Sequence, residues 1–354
     1  MNATVANPAR VSAPSSTRPL ATRLPDSQGL IGVAAKKIKP YIQIARPDHW
    51  FKNAFMILGI VLAVFYSPDL SQTSFLALPV AVLATCLVAS SNYVLNELLD
   101  GPTDAVHPKK RHRPVPSGAI KPALAYAEWI VLGVLGVALA AGVNRYFALS
   151  ALTLWVMGVA YNVPPIRTKE WPYLDVVSES ANNAIRLFLG WFTLLTSTVP
   201  PLSLVFSYWM LGAFFMATKR YAEYRHIDNP AAAAAYRKSF RYYNEERLLI
   251  SMLFYATTSA LFAGIFIVRY HLELILVAPA VAGVFAYYLK IGMRRNSAVQ
   301  NPEQLFRERG FFVYVVATFV LFVVLMFTRI PPLYTSFNVE MSRTSPLWTL
   351  GGKR

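Results

Sequence analysis

The chain has 354 residues, of which 55% are hydrophobic and 15% charged, with 34 Lys and Arg against 18 Asp and Glu for a formal net charge of +16. That charged share is well below the quarter or so usual for soluble domains, and a basic nucleic-acid binder would not spend so much of its length on long apolar runs, so both classes are excluded. The single Cys86 excludes a disulfide framework and a cysteine-based zinc site; lying inside an apolar run, it reads as an inert packed thiol.

Residues 1–40 are rich in Ala, Ser, Pro and Thr, and their longest apolar stretch, around 29–35, is too short for a signal-peptide core, so a disordered tail is expected. Residues 38–53 mix Lys39, Arg46 and Lys52 with Tyr41, Ile44, Trp50 and Phe51, the composition of an interfacial lead-in. Apolar stretches near the ~20 residues that cross a bilayer as helix follow at 53–67, 76–98, 123–143, 146–163, 174–196, 201–218, 248–268, 272–289 and 311–328. The expected fold is therefore an all-α, multi-pass membrane bundle of about nine transmembrane helices within residues 41–328. A short external tail, 329–354, follows it.

Lys and Arg collect on cytoplasmic loops, which gives an independent check. Of the 34, 27 fall on the side of the N-terminus, six on the other side, and one, Arg186, lies inside a span. Such a split predicts a cytoplasmic N-terminus and an external C-terminus in the plasma membrane. It makes most of the positive charge a topology signal rather than a sign of a nucleic-acid partner.

Three polar features are left over. At the end of the second span the string N-E-L-L-D-G-P-T-D holds Asn96, Glu97, Asp100 and Asp104. Positions 96, 100 and 104 are one helical turn apart and can share a face. Pro102 lacks an amide hydrogen and is expected to break the helix near Gly101. Hard oxygen ligands around an open site suit Mg²⁺; the alternative is a solvated acidic helix end paired with the basic run that follows.

In the fifth span, Asp175, Glu179, Asn182, Asn183 and Arg186 make a polar stripe. An arginine deep in a span costs ~2.5–3.5 kcal/mol or more unless it meets a cavity or counter-ion. A structural network, with Glu179 and an asparagine holding Arg186, and a polar cavity entered from the cytoplasm both fit. Third, Lys219, Arg220 and Glu223 open a basic loop whose bulk fits topology and anionic lipid, while Lys219 and Arg220 themselves fit phosphate binding. The five histidines have no metal-ligand spacing, and no P-loop or Ser/His/Asp arrangement is present.

Taken together these motifs resemble the UbiA superfamily of membrane prenyltransferases, and within it the branch that transfers phosphoribosyl from PRPP to decaprenyl phosphate. The residues carrying the likeness are R-P-D-H-W-F-K-N over 46–53, N-E-x-x-D-x-x-x-D from Asn96, and H-P-x-K-R-x-R-P-x-x-S-G over 107–118. Tyr161 with Arg167 and Lys169, Leu174-Asp175 with Arg186 eleven residues on, and K-R-x-x-E from Lys219 complete it. The likeness covers roughly 41–328. Two departures stand out: Glu97 takes the place of a usual aspartate, and the stretch 179–183 is more polar than that branch leads one to expect.

The resemblance implies an enzyme with Mg²⁺ held by Asn96, Glu97, Asp100 and Asp104. It implies a catalytic set of Asp100, Asp104, Asp175 and Arg186, and phosphate binding by Lys52, Lys109, Arg111, Arg113, Tyr161, Lys169, Lys219 and Arg220. The implied partners are a polyprenyl phosphate or diphosphate lipid and a phosphorylated small-molecule donor. Aromatic prenyltransferases of the superfamily carry a second aspartate-rich motif in the 6–7 loop; here that loop offers only Glu223 and Asp228. The alternative reading is a prenyltransferase that moves a polyprenyl group from its diphosphate to a small aromatic or other acceptor. A lipid transporter would place its ionisable groups near the midplane, and a scaffold would leave Arg186 and the acidic string unexplained.

Overall fold

The computed structural model describes residues 37–67, 72–105, 110–227, 229–294, 296–300, 305, 307–340 and 347–350. Two compact units divide the chain, Met1–Lys39 and Pro40–Arg354. The first is described only over 37–39, which are helical, and the tail expected at 1–36 lies outside the described residues. All that follows concerns the second unit.

Each of the nine expected spans falls on a helix, and no strand occurs among the described residues beyond one isolated bridge between Thr198 and Thr349. A 3-10 segment, Pro47–Phe55, leads into α1, Met56–Tyr66. The others are α2 (Gln72–Ala105), α3 (Pro122–Val143), α4 (Arg145–Asn162), α5 (Leu174–Leu194) and α6 (Leu202–Ile227). Then come α7 (Glu245–Tyr270), α8 (Ala278–Gly292, entered through the 3-10 turn Leu272–Val277) and α9 (Arg309–Phe327). Seven helical stretches are long and apolar enough to cross a membrane by length and composition, α1 with the helical lead-in from Lys37 and α8 with its 3-10 entry among them; α4 and α5 fall short. In α5 the reason is the charged stripe, and in α4 the polar ends Arg145, Tyr146, Tyr161 and Asn162.

The close pair α3 and α4 is divided by one residue. Asn144 ends α3, and its side chain accepts hydrogen bonds from the amides of Tyr146 and Phe147 at the start of α4, satisfying donors that a helix start leaves open. The expected break at Pro102 does not occur: α2 continues to Ala105 with Pro79 and Pro102 inside it. A proline removes one i→i−4 bond, and the bonds on either side, with side-chain contacts from the 2–3 loop, keep the last turn helical.

The two ends of the bundle differ. At one end the segment 40–55 and the 2–3, 4–5, 6–7 and 8–9 loops are tied together. Arg46 meets Glu97, Lys169 meets Asp100, Lys238 of the 6–7 loop meets Glu170 of the 4–5 loop, and Gln300 donates to the Ala222 carbonyl. These are the loops that carry most of the lysine and arginine. At the other end Asn144 donates to the Phe192 carbonyl, and residues 197–199 pair with 348–350. There too Glu273 accepts from the Ile330 amide and the Tyr334 hydroxyl.

Large apolar side chains such as Leu76, Leu149, Leu253 and Val313 point outward, as they do where the surrounding solvent is hydrocarbon. Helix α5 is the interior helix, with 13 of its 21 residues buried, so its polar stripe faces protein. Against it α1 packs backbone to backbone: a Cβ on Gly59 would come within 2.0 Å of the Leu187 carbonyl oxygen, and one on Gly190 within 2.0 Å of that of Met56. Gly190→Ala is accordingly expected to push the two helices apart and destabilise the fold by about 1–3 kcal/mol, read as a lower unfolding temperature in detergent. An unchanged temperature would mean that the contact yields freely.

Candidate active site

Because α2 runs through Pro102, Asn96, Asp100 and Asp104 do share a face, and side chains from two loops close on them. Asn96 donates to Asn162 Oδ1 at 2.6 Å and to Asp100 at 3.3 Å. Asp100 is held by Lys169 at 2.6 Å and Arg167 at 3.2 Å, and Lys169 also reaches Asn162 Oδ1 at 2.8 Å. Asp104 pairs with Arg113 and, at 3.6 Å, with Lys110. Glu97 turns elsewhere: buried, it accepts from Arg46 at 3.0 Å and from the Val115 amide at 3.2 Å. Of the four expected metal ligands, three therefore share a face, and the fourth pins the lead-in segment and the 2–3 loop.

Across from this lies a second carboxylate group that the sequence reading did not assemble. Arg220, 1% exposed, is bonded through Nε to Asp175, through Nη2 to Glu179 at 2.7 Å and through Nη1 to Glu223. Asp175 is fully buried and also accepts from Tyr243 and Ser239, with Arg237 3.5 Å away. Glu179 accepts from the Tyr161 hydroxyl at 2.9 Å. The i, i+4 spacing of Asp175 and Glu179 and the i, i+3 spacing of Arg220 and Glu223 were visible in the sequence; that the two pairs meet across α5 and α6 was not. Among the described residues no group of three or more His, Cys, Asp or Glu side chains is arranged to hold a metal by itself.

Arg186 does not meet Glu179. Its Nε donates to Asn53 Oδ1 at 2.9 Å and its Nη1 to the Asn182 carbonyl at 3.1 Å, while Asn53 donates in turn to Cys86 Sγ. Lys52 lies 5.5 Å from the Tyr93 ring centre and bonds His49. Arg46 stands 5.9 Å from the same ring, so Tyr93, unmarked by any motif, is ringed by cations. Lys219 sits 3.9 Å from Glu223. Arg111 is exposed and bonded to His112, turned from Asp104, and Lys109 lies outside the described residues.

Charge in the loops is finely balanced. Burial pushes the Lys169 ammonium down to about 8, against the pull of Asp100, and burial also lowers Lys110, against Asp104. Arg237, partly buried, is held above its usual value by Tyr161, Glu223 and Asp175 against the desolvation that opposes them. For Lys169 the linkage has a definite sign. Between about pH 8 and the ordinary 10.5 the unfolded chain binds more protons than the fold, so this group's contribution to stability rises with pH across that window. Metal-free protein carrying Lys169→Met is expected to lose that increment. Unfolding temperatures in chelator at pH 7.5, 8.5 and 9.5 check it, and parallel profiles for the two proteins would contradict it.

The profile of the UbiA prenyltransferase family matches residues 53–316. The decaprenyl-phosphate phosphoribosyltransferase of Mycobacterium tuberculosis is 30% identical over 239 residues, 65% of this chain and 74% of that one. A protoheme IX farnesyltransferase of Alkalilimnicola ehrlichii is 28% identical over 309 residues, 84% of this chain and 94% of its own. Among solved structures, a UbiA homolog from Archaeoglobus fulgidus bound to DMAPP and Mg²⁺ shares the fold with a TM-score of 0.61. It is 19% identical, over 81% of this chain and 98% of its own.

Proposed function

The chain belongs to the UbiA prenyltransferase family and is a multi-pass membrane transferase, and from that premise we propose that it moves phosphoribosyl from PRPP to a polyprenyl phosphate. One observation carries the reading. The α5–α6 carboxylates Asp175, Glu179 and Glu223 are matched in number by Arg220, Arg237 and Lys219, while the α2 face sets four cations, Lys110, Arg113, Arg167 and Lys169, around Asp100 and Asp104. A site so rich in cations suits two phosphorylated substrates better than a weakly charged acceptor.

Asn96, Asp100 and Asp104 offer the oxygen donors that Mg²⁺ prefers, one turn apart on one face. Bound there, the ion would neutralise the departing pyrophosphate. The lysines and arginines that now pair with Asp100 and Asp104 would turn to phosphate oxygens and stabilise charge as it develops; Lys219 and Lys52 flank them from α6 and the lead-in. Tyr161 and Arg220 are engaged with Glu179 and fix that wall of the site. A lipid phosphate oxygen forms the new bond to C1 of the ribose, and the C1–oxygen bond to pyrophosphate breaks with its electron pair leaving on pyrophosphate. The nucleophile is already anionic, so no general base has to take a proton.

The basic end is assigned to the cytoplasm of a plasma-membrane protein on the distribution of Lys and Arg. Membranes containing the protein, given Mg²⁺, radiolabelled PRPP and a polyprenyl phosphate, should form labelled lipid. No labelled lipid, together with turnover of a polyprenyl diphosphate and an aromatic acid, would replace this reading by prenyl transfer.

A further inference from the structure

Arg186 is the one cation of the α5 stripe that the protein does not neutralise. Among the described residues no carboxylate lies within ion-pair distance of it; it donates to the neutral Asn53 side chain and to the Asn182 carbonyl. It is 7% exposed, and it stands seven residues beyond Glu179, about 10 Å farther along the helix at 1.5 Å per residue. The neighbours at this depth are mixed. Tyr208 sits edge-on to Phe55, 6.0 Å between ring centres, and its hydroxyl faces the Phe55 carbonyl. Leu58, Phe188 and Trp209 pack alongside. Asn182 Oδ1, one residue-turn away, is buried with no hydrogen-bond partner.

A buried guanidinium is kept charged in a membrane protein only where an anion or a polar cavity receives it. Here the protein supplies neutral acceptors that orient the group and leave its charge for a ligand. We propose that Arg186, oriented by Asn53 and Asn182, is the receptor for the phosphate monoester of the polyprenyl substrate, at a subsite deeper than the α2 acidic face that serves the water-soluble donor. Depth separates the two substrates: the donor arrives from water at the loop end, and the lipid brings its phosphate in from the apolar side along α1, α5 and α6. A guanidinium suits this because its planar donors match phosphate oxygens in pairs. The unpartnered Asn182 oxygen can accept the proton of a singly protonated phosphate. This assignment rests on the phosphoribosyl-transfer reading for its choice of lipid, and the test keeps the two apart.

The test is binding without donor. Full-length protein in nanodiscs, free of Mg²⁺ and PRPP, is titrated with a polyprenyl phosphate, with the matching polyprenyl diphosphate and with the uncharged polyprenol. Arg186→Gln is expected to weaken the monophosphate at least tenfold and to leave polyprenol unchanged, with Arg186→Lys recovering part of the loss. In turnover, Arg186→Gln should raise KM for the lipid at least tenfold while KM for PRPP stays within twofold. Monophosphate binding unaffected by either substitution overturns the proposal, and so does a rise in KM for PRPP with the lipid term unchanged. If Arg186→Gln fails to fold, a photoreactive polyprenyl phosphate on the wild-type protein decides: crosslinks on α1, α5 and α6 beside residues 53, 186 and 208 support the site, and crosslinks confined to the loop end refute it. Tight binding of the diphosphate at this site, with no PRPP turnover in the separate assay, would fault the reading of the reaction and leave the anion subsite standing.

Discussion

Asp100→Ala is expected to lower transfer by about 10³-fold, the order of loss that follows removal of a principal electrostatic element of a transition state. Asp100 is the residue on which the α2 face converges: Asn96 donates to it, and Lys169 and Arg167 close from the 4–5 loop. Its loss removes one of three oxygen donors on that face and leaves Lys169, nine-tenths buried, without its counter-ion. Asp100→Asn separates the two effects, since it keeps shape and a hydrogen-bond acceptor and loses only the charge. Initial rates at saturating lipid across a Mg²⁺ titration make the measurement. Full activity of the Ala variant would show that the metal does not sit on this face, and activity of the Asn variant restored by excess Mg²⁺ would confirm that it does.

Arg220→Met is expected to have the larger effect on the fold. Three carboxylates, Asp175, Glu179 and Glu223, converge on one fully buried guanidinium. Removing one partner of a buried ion network typically costs about 3–5 kcal/mol because the remaining charge is stranded, and here more than one is stranded. Asp175 also anchors Tyr243 and Ser239, so the segment that closes the 6–7 loop should loosen with it. The expected result is a sharply lower unfolding temperature in detergent, with faster proteolysis between residues 229 and 244. The doubly neutral pair Arg220→Met with Glu179→Gln should recover part of the loss. A variant as stable as wild type would mean that water reaches these groups.

Much of this was legible from the chain. Each of the nine apolar runs falls on a helix, seven of them long and apolar enough to cross a membrane, and the alternation of lysine and arginine grouped the loops that in the fold meet at one end. Asn96 and Asp100 on one face follow from a four-residue spacing, whereas Asp104 joins them only because the helix runs on past Pro102. Where local rules were applied alone they failed: Pro102 does lack a donor, yet the last turn of α2 is held by tertiary contacts that no local rule contains. Glu97 illustrates a different limit. Its neighbours in sequence suggested a metal, but the choice of Arg46, 51 residues away, is a fact of packing. Arg186 announced itself as an expensive residue in an apolar span, while its partner Asn53, separated by 133 residues, could be known only once α1 was placed against α5.

That placement has a consequence for how the guanidinium meets an anion. Gly59 and Gly190 let α1 and α5 touch with no side chain between them, so the spacing between Asn53 and Arg186 is set by two backbones rather than by rotamers that have to be chosen on binding. The donor is aimed before any ligand arrives. Most flexible surface arginines surrender side-chain freedom when they grip a phosphate; this one surrendered it when the chain folded, and the entropy of recognition was settled at that earlier step.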